Sequence, residues 1–255
     1  MTPLTLMRKA LVLSLILLSL TSFGQLSRLK KLIPVKNVPL TNTEIVNGLK
    51  DAILVGTDSA VTHLSAVDGY MKDQAVKILL PPEAKEITDN ISKLPGGAKL
   101  IDDVIVRINR AAEDAAKGAK PIFISSVKTM TFDDGLKILK GPDNAATQYF
   151  RLKTNDQLAK LYRPKLRESL NKDLVAGIST QQSWNELTTN WNKLATSPIG
   201  KFGGLKTVNV KLEDYIVQKA LDGLYLKIEE REKDIRNNAN ARVTAFLKKV
   251  FGSKK

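Results

Sequence analysis

The stretch TMTFDDGLKILKGPDNAATQYFRLKT, residues 129–154, decides whether this chain is a set of helices joined by short breaks or a scaffold built around a ligand loop. Thr131 followed by Asp133 and Asp134 has the pattern of an N-cap with an acidic first turn. Gly141 then reads as a C-cap glycine and Pro142 as a helix stop. Asp143 or Asn144 is placed to cap a further helix over residues 145–151. Every special residue of the stretch therefore has a structural use. Two functional uses compete with it. Asp133, Asp134 and Asp143 supply oxygen ligands for a hard cation, but not at EF-hand spacing. Lys140, Arg151 and Lys153 supply charge for an anion at the helix start near Asn144, but without a phosphate-loop glycine pattern.

The same punctuation recurs along the chain. Thr41 and Glu44 have capping-box spacing ahead of Ile45, Leu49, Ala52, Ile53, Ala60 and Leu64, which predicts a helix over 43–65. Gly56 inside it costs about 1 kcal/mol against Ala and allows close helix approach. Asp68-Gly69 marks a turn. Residues 78–80 precede Pro81-Pro82 and are expected to be extended, since a residue before proline avoids the helical region. Pro82 suits the first turn of a helix ending near Leu94. After the break at Pro95-Gly96-Gly97, residues 98–117 carry a wide apolar face from Leu100 to Ala115. A short helix is expected over 120–130.

Thr154 and Gln157 again have capping-box spacing, predicting a separate helix to about Val175, kinked at Pro164. Trp184, Leu187, Trp191 and Leu194 fall on one helical face, a spacing that favours core packing over a glycan platform. A glycine-rich loop covers 197–210. Helices follow over 212–234 and 241–251, the last using Val243, Phe246, Leu247, Val250 and Phe251. Residues 207–211 form the one candidate strand. The expectation is an all-α, helical-bundle-like single domain of about eight or nine helices over 41–252, with no repeat of solenoid period.

Composition narrows the chemistry. The 255 residues are 43% hydrophobic and 26% charged, an ordinary globular balance. The absence of cysteine removes disulfides, thiolate nucleophiles and Cys-ligated metals. One histidine, His63, leaves no multi-histidine metal site; on its amphipathic helix it reads as a surface or boundary residue.

The amino terminus has the form of a signal peptide. Arg8-Lys9 precede an apolar run over 10–20, and Ser22 and Gly24 give a small-x-small cleavage pattern. The run is short against the roughly 20 residues of a spanning helix. We expect cleavage after Gly24, a basic linker over 25–40, and a periplasmic or secreted protein. No later segment is long enough to span a bilayer. Export without cysteine points to a bacterial periplasm. The formal charge of +14 falls to +12 once Arg8 and Lys9 are removed. That balance favours anionic partners of the envelope, whereas export argues against nucleic acid.

Asn109, Arg110 and Glu113, with Thr147, Tyr149 and Arg151, are polar residues crowded beside apolar helix faces, and they are the candidate ligand-binding set. Salt bridges and caps joining helices account for them equally well. Full pairing of Arg110 and Arg151 with carboxylates argues for architecture; an unpaired guanidinium facing a cavity argues for an anion site.

Four runs resemble one family of exported bacterial proteins. They are residues 130–154, Arg107-Ile-Asn-Arg-Ala-Ala-Glu113, Ala220-Leu-Asp-Gly-Leu-Tyr-Leu-Lys-Ile-Glu-Glu230, and residues 241–252. The family is catalogued as domain of unknown function four-one-nine-seven, and the resemblance covers roughly residues 40–252. It implies an exported helical protein and supplies no activity, cofactor or catalytic residue. The reading is thus an exported, non-enzymatic, basic periplasmic protein that binds an apolar or anionic envelope molecule or a protein partner. No cofactor, metal or catalytic residue is assigned. The alternative is a hydrolase or lyase of envelope polymers working through paired acids such as Glu113 and Asp134.

Overall fold

The structure, a computed structural model, describes residues 41–175, 177–242 and 248. The signal segment, the linker and the helix expected over 241–251, apart from its residues 241, 242 and 248, lie outside the described residues. The fold is all-α, as the periodicity requires. Its helices are α1 (Asn42–Ser65), α2 (Lys85–Ser92), α3 (Gly97–Ala116), α4 (Ala119–Lys128), α5 (Phe132–Lys140), α6 (Ala145–Asn171), α7 (Thr180–Thr196), α8 (Pro198–Phe202) and α9 (Leu212–Asn237). Short 3-10 turns occupy Pro82–Ala84 and Ala239–Ala241.

Helix α6 is the centre, packed against α3, α4, α5, α7 and α9. Its buried positions explain how. Ala146, Phe150, Thr154, Leu158, Tyr162, Leu166 and Leu170 recur every fourth residue. At 100° per residue a four-residue step advances 40° beyond a full turn, so the buried stripe winds around the helix. Different neighbours are met at different heights. Near its start, Phe150 meets Phe123 of α4 edge-on, with ring centroids 5.0 Å apart. Thr154 lies inside this helix rather than at a cap. Its hydroxyl donates to the Phe150 carbonyl at 2.7 Å and lies 3.0 Å from the Tyr225 hydroxyl of α9. The two helices expected on either side of Thr154 are therefore one, because burial offers Thr154 better partners than a free helix end would. The helix runs through Pro164 and ends at Asn171. Residues 173–175, expected to be helical, form β1 (Asp173–Val175), paired antiparallel with β2 (Ile178–Ser179). Gly177 takes the left-handed conformation between them, at φ 77°.

The opening stretch folds as punctuation. Thr131 and Asp134 form a reciprocal capping box at the start of α5. Gly141 ends that helix with φ −77°, so no left-handed turn requires it. A Cβ there would sit 2.7 Å from the Ala145 Cβ and 2.8 Å from the Lys137 carbonyl oxygen, so close approach does. Gly56 also lets helices approach, since a Cβ would meet Ile235 Cδ1 of α9 at 3.2 Å.

Neither Asp143 nor Asn144 caps α6. Asp143 accepts from the Asn237 amide and Asn144 from the Gln148 amide. The cap comes from α9, 85 residues away in sequence. The Glu232 carboxylate accepts the Ala146 amide at 2.9 Å and the Thr147 amide and hydroxyl at 2.8 Å each. Arg236 pairs with the same carboxylate at 2.9 Å and donates to the Ile138 carbonyl of α5 at 2.8 Å. Both side chains are nearly fully buried, at 9% and 6% exposure. Removing one partner of such a pair costs about 3–5 kcal/mol, because the other charge is left uncompensated. Glu232→Ala is therefore expected to lower unfolding free energy by about that much in urea titration, and Glu232→Gln, which keeps an acceptor for the amides, by less.

Candidate functional site

The six candidate residues divide among three places. On α3, the Asn109 amide is fully buried and spans both backbone groups of Ile78: it accepts from the Ile78 amide at 2.9 Å and donates to its carbonyl at 2.8 Å. Its neighbour Glu113 accepts the amides of Tyr70 and Met71. Arg110 bonds Glu113 at 2.7 Å and Asp68 at 2.5 Å. Asp68 has φ 72°, which a non-glycine residue rarely adopts, and the cations Lys72 and Arg110 hold its carboxyl below the usual carboxylate range. This trio fastens the connector after α1. On α6, Thr147 belongs to the Glu232 cap. Arg151 pairs with Asp222 at 2.8 Å and stacks on the Tyr225 ring at 4.6 Å. Tyr149 donates to the Ser126 carbonyl at 3.4 Å. Both guanidiniums are thus paired to carboxylates, the outcome that argues for architecture.

The anion place beside Asn144 is filled from within by Glu232. Asp134 is engaged with Thr131, and Asp143 with Asn237, so the acids of the opening stretch do not converge. Among the described residues no group of three or more His, Asp or Glu is placed to hold a metal ion. The acids Glu113 and Asp134 are each committed to backbone or capping bonds. His63 is half-exposed at the end of α1, with Nε2 3.2 Å from Asp73 Oδ2, which also takes Lys227 of α9 at 2.8 Å.

Concave features lie between α1, α6 and α9 at Glu232 and Arg236, beside His63 and Asp73, and around α7, where two of them meet. The Trp184 ring is the landmark. Its indole N–H donates to the Val210 carbonyl at 3.3 Å, and Trp191 does the same to Lys206 at 2.9 Å. Between them the Asn192 amide spans Val208, donating at 3.0 Å and accepting at 2.7 Å. Residues 207–211, the expected strand, lie instead beside α7, with the backbone of residues 206, 208 and 210 paired to helix side chains and not to a sheet. The stripe on α7 is only partly core: Trp184 is buried, whereas Leu187 and Leu194 stay 38% and 48% exposed.

Beneath α2 lies an apolar cavity of about 60 Å³, walled by Ile87 and Ile91 of α2, Leu100 and Val104 of α3, and Trp184 and Leu187 of α7. That exceeds the roughly 10–15 Å³ that seats one water. Thr180 contributes the one orphan polar atom of these walls: its hydroxyl is buried without a hydrogen-bond partner among the described residues. On the other side, Trp184, Thr188 and Leu212 also wall an open cleft of about 630 Å³. Its polar groups are the neutral Gln181, Asn185 and Asn209, the cations Lys211 and Arg163, and the acids Glu213 and Asp214. This cleft has the size of a small-molecule pocket. At its edge Arg167 grips Glu213 with two bonds of 2.8 Å, and Arg163 reaches Glu213 at 2.8 Å and Asp214 at 2.6 Å.

The family described as "Protein of unknown function (DUF4197)" matches residues 39–252. The chain belongs to this family. No curated protein and no solved structure matches it. Of the DUF4197 chain's formal charge of +14, residues 1–40 carry six cations and residues 243–255 four, with no acid in either, so residues 41–242 carry only +4. Among the described residues no helix is long and apolar enough to cross a membrane. Sequence reasoning found Trp184 but not the cavity, whose walls combine the consecutive helices α2 and α3 with the distant α7.

The Glu213 network makes a pH prediction. Arg167, with Arg163, holds the Glu213 carboxyl below its ordinary value of 4.5. A depressed carboxyl contributes stability that is fully present above that value and lost as pH falls through the lower folded one. The melting temperature of the parent is expected to drop more steeply below about pH 4.5 than that of Glu213→Gln, as read by circular dichroism.

Proposed function

We propose that this protein is exported through residues 1–24 and acts without catalysis, binding an amphiphilic envelope molecule at α7. The aliphatic part occupies the cavity beneath α2, and the polar part occupies the cleft beside residues 208–214. The observation that carries this reading is the adjacency: one buried tryptophan walls both a carbon-lined slot and a polar cleft of ligand size. The buried Thr180 hydroxyl offers a hydrogen bond to an oxygen or nitrogen carried into the slot. Lys211, exposed and without an ion-pair partner among the described residues, offers the cleft a cation for an anionic head group, whereas Arg163 is held by Glu213 and Asp214. The chain breaks around α2 suit it to act as a lid, with Pro81-Pro82 before it and Pro95-Gly96-Gly97 after it.

The carboxylate-hydrolase alternative lacks comparable support. Glu113, Asp134, Glu213 and Glu232 are each bound by cations, backbone amides or a capping hydroxyl, which leaves none of these four poised as a general acid or base.

Native mass spectrometry with lipid extraction, on the protein recovered from a bacterial periplasm, tests this. The expected result is an intact mass beginning at Gln25 and a co-purifying amphiphile. Ser183 of α7 also lines the slot, and Ser183→Leu, which puts a larger apolar side chain there, is expected to remove the bound mass while the far-ultraviolet spectrum stays unchanged. A clean apo mass, with no quenching of Trp184 fluorescence by added amphiphiles, sinks the reading.

A further inference from the structure

The corner that joins α7 to residues 207–211 carries the most exposed large apolar side chain among the described residues. Phe202 is 98% exposed, Ile199 is 80% exposed, and Leu194 stands beside them at the end of α7. A loose loop would explain such exposure without any function, but this corner is fully built. Ser197 caps α8, its hydroxyl accepting the Gly200 amide at 3.1 Å and donating to the Leu194 carbonyl at 2.7 Å. The amides of Gly203, Gly204 and Leu205 bond back to Ile199, Lys201 and Gly200 at 2.9, 3.2 and 3.0 Å. Gly200 is pressed so tightly on α7 that a Cβ there would lie 2.1 Å from the Leu194 carbonyl oxygen. The result is a hydrogen-bonded knuckle that leaves Ile199 and Phe202 in solvent.

Charge around the knuckle has one sign. From Leu187 to Val210 the chain contains no acid and three lysines, Lys193, Lys201 and Lys206. All three are exposed, and none has an ion-pair partner among the described residues. Elsewhere acids are interspersed with the cations, and many of them are bridged along α3, α6 and α9.

We propose that this knuckle docks the protein on an anionic lipid surface, inserting Phe202 and Ile199 at the headgroup–acyl boundary while Lys193, Lys201 and Lys206 meet lipid phosphates. Apolar side chains at a tip ringed by unpaired cations match that interface on both counts: burial of apolar area and attraction to anionic headgroups. A second copy is the poorer occupant, because a two-fold contact would set the same three lysines against themselves. Docking at the knuckle is independent of whether the cavity beneath α2 takes a ligand.

The test uses the protein recovered from cells expressing the full chain, with Phe202→Trp as the position-specific probe. Vesicles contain phosphatidylglycerol in phosphatidylcholine, with or without lipids brominated on the acyl chain. Docking predicts blue-shifted emission from the introduced indole, quenched by the brominated lipid, with the parent's signal subtracted. It also predicts loss of that change at 1 M salt, where the screening length is only about 3 Å. Ile199→Ser with Phe202→Ser, which keeps every charge, is expected to weaken vesicle binding by roughly tenfold or more without moving the melting temperature. Vesicle binding that leaves the introduced indole unquenched would place docking on another segment and overturn the proposal. Equal binding to pure phosphatidylcholine, no binding at all, or a self-associated mass abolished by the double substitution would each overturn it too.

Discussion

An α-helix that begins in the protein interior must find partners for its first amides, because no water reaches them. Helix α6 faces this requirement at Ala146 and Thr147, which are both buried. The Ala145 amide bonds to the Pro142 carbonyl and the Gln148 amide to that of Asn144, while Ala146 and Thr147 are received by Glu232. A carboxylate suits the position doubly, since the helix start carries partial positive charge. It comes with Arg236, which neutralises it and ties the end of α5 to α9. One buried ion pair thus sets where α6 starts, how α9 lies against it and where α5 stops. The four-residue stripe of α6 then distributes its other neighbours around it.

The polar residues of the candidate set are used in the same way. Two asparagines, Asn109 of that set and Asn192 on α7, each take both backbone groups of a connector residue, imitating a strand partner where no sheet exists. Ile78 and Val208 are almost completely buried, so their amides and carbonyls needed such partners. Glu113 receives the amides of Tyr70 and Met71 for the same reason. In an all-helical protein the connectors have no ladder of their own, and buried polar side chains substitute for one. Residue type and position beside an apolar face do not distinguish that duty from ligand binding.

Two functional proposals meet on α7. Trp184, near its start, divides the apolar slot from the polar cleft, and Leu194 leads into the knuckle at its end. Ten residues of helix separate them, roughly 15 Å at 1.5 Å per residue. A helix docked at a lipid surface by its end would hold an amphiphile site close to the source of amphiphiles. The charge distribution agrees with that arrangement. Residues 41–242 are only modestly basic, and the segment around the knuckle adds lysines with no acid near them in sequence.

The sequence by itself determined the helical class, most element boundaries and the family. These depend on local rules: 3.6-residue periodicity, capping pairs such as Thr131 with Asp134, and the refusal of proline and glycine to continue a helix. It also carried the charge imbalance and the limits set by one histidine and no cysteine. Tertiary structure alone decided that Thr154 lies within a helix, that Glu232 caps α6 across 85 residues, and that residues 207–211 lie beside a helix. It also decided which apolar side chains stayed outside. Leu187 and Phe202 are as hydrophobic as any core residue, and only the packing of distant elements leaves one at a cavity wall and the other in solvent. Local pattern is set by neighbours in the chain. Caps, cavities and exposed tips are set by what other segments bring to the same place, which no spacing in one stretch of sequence encodes.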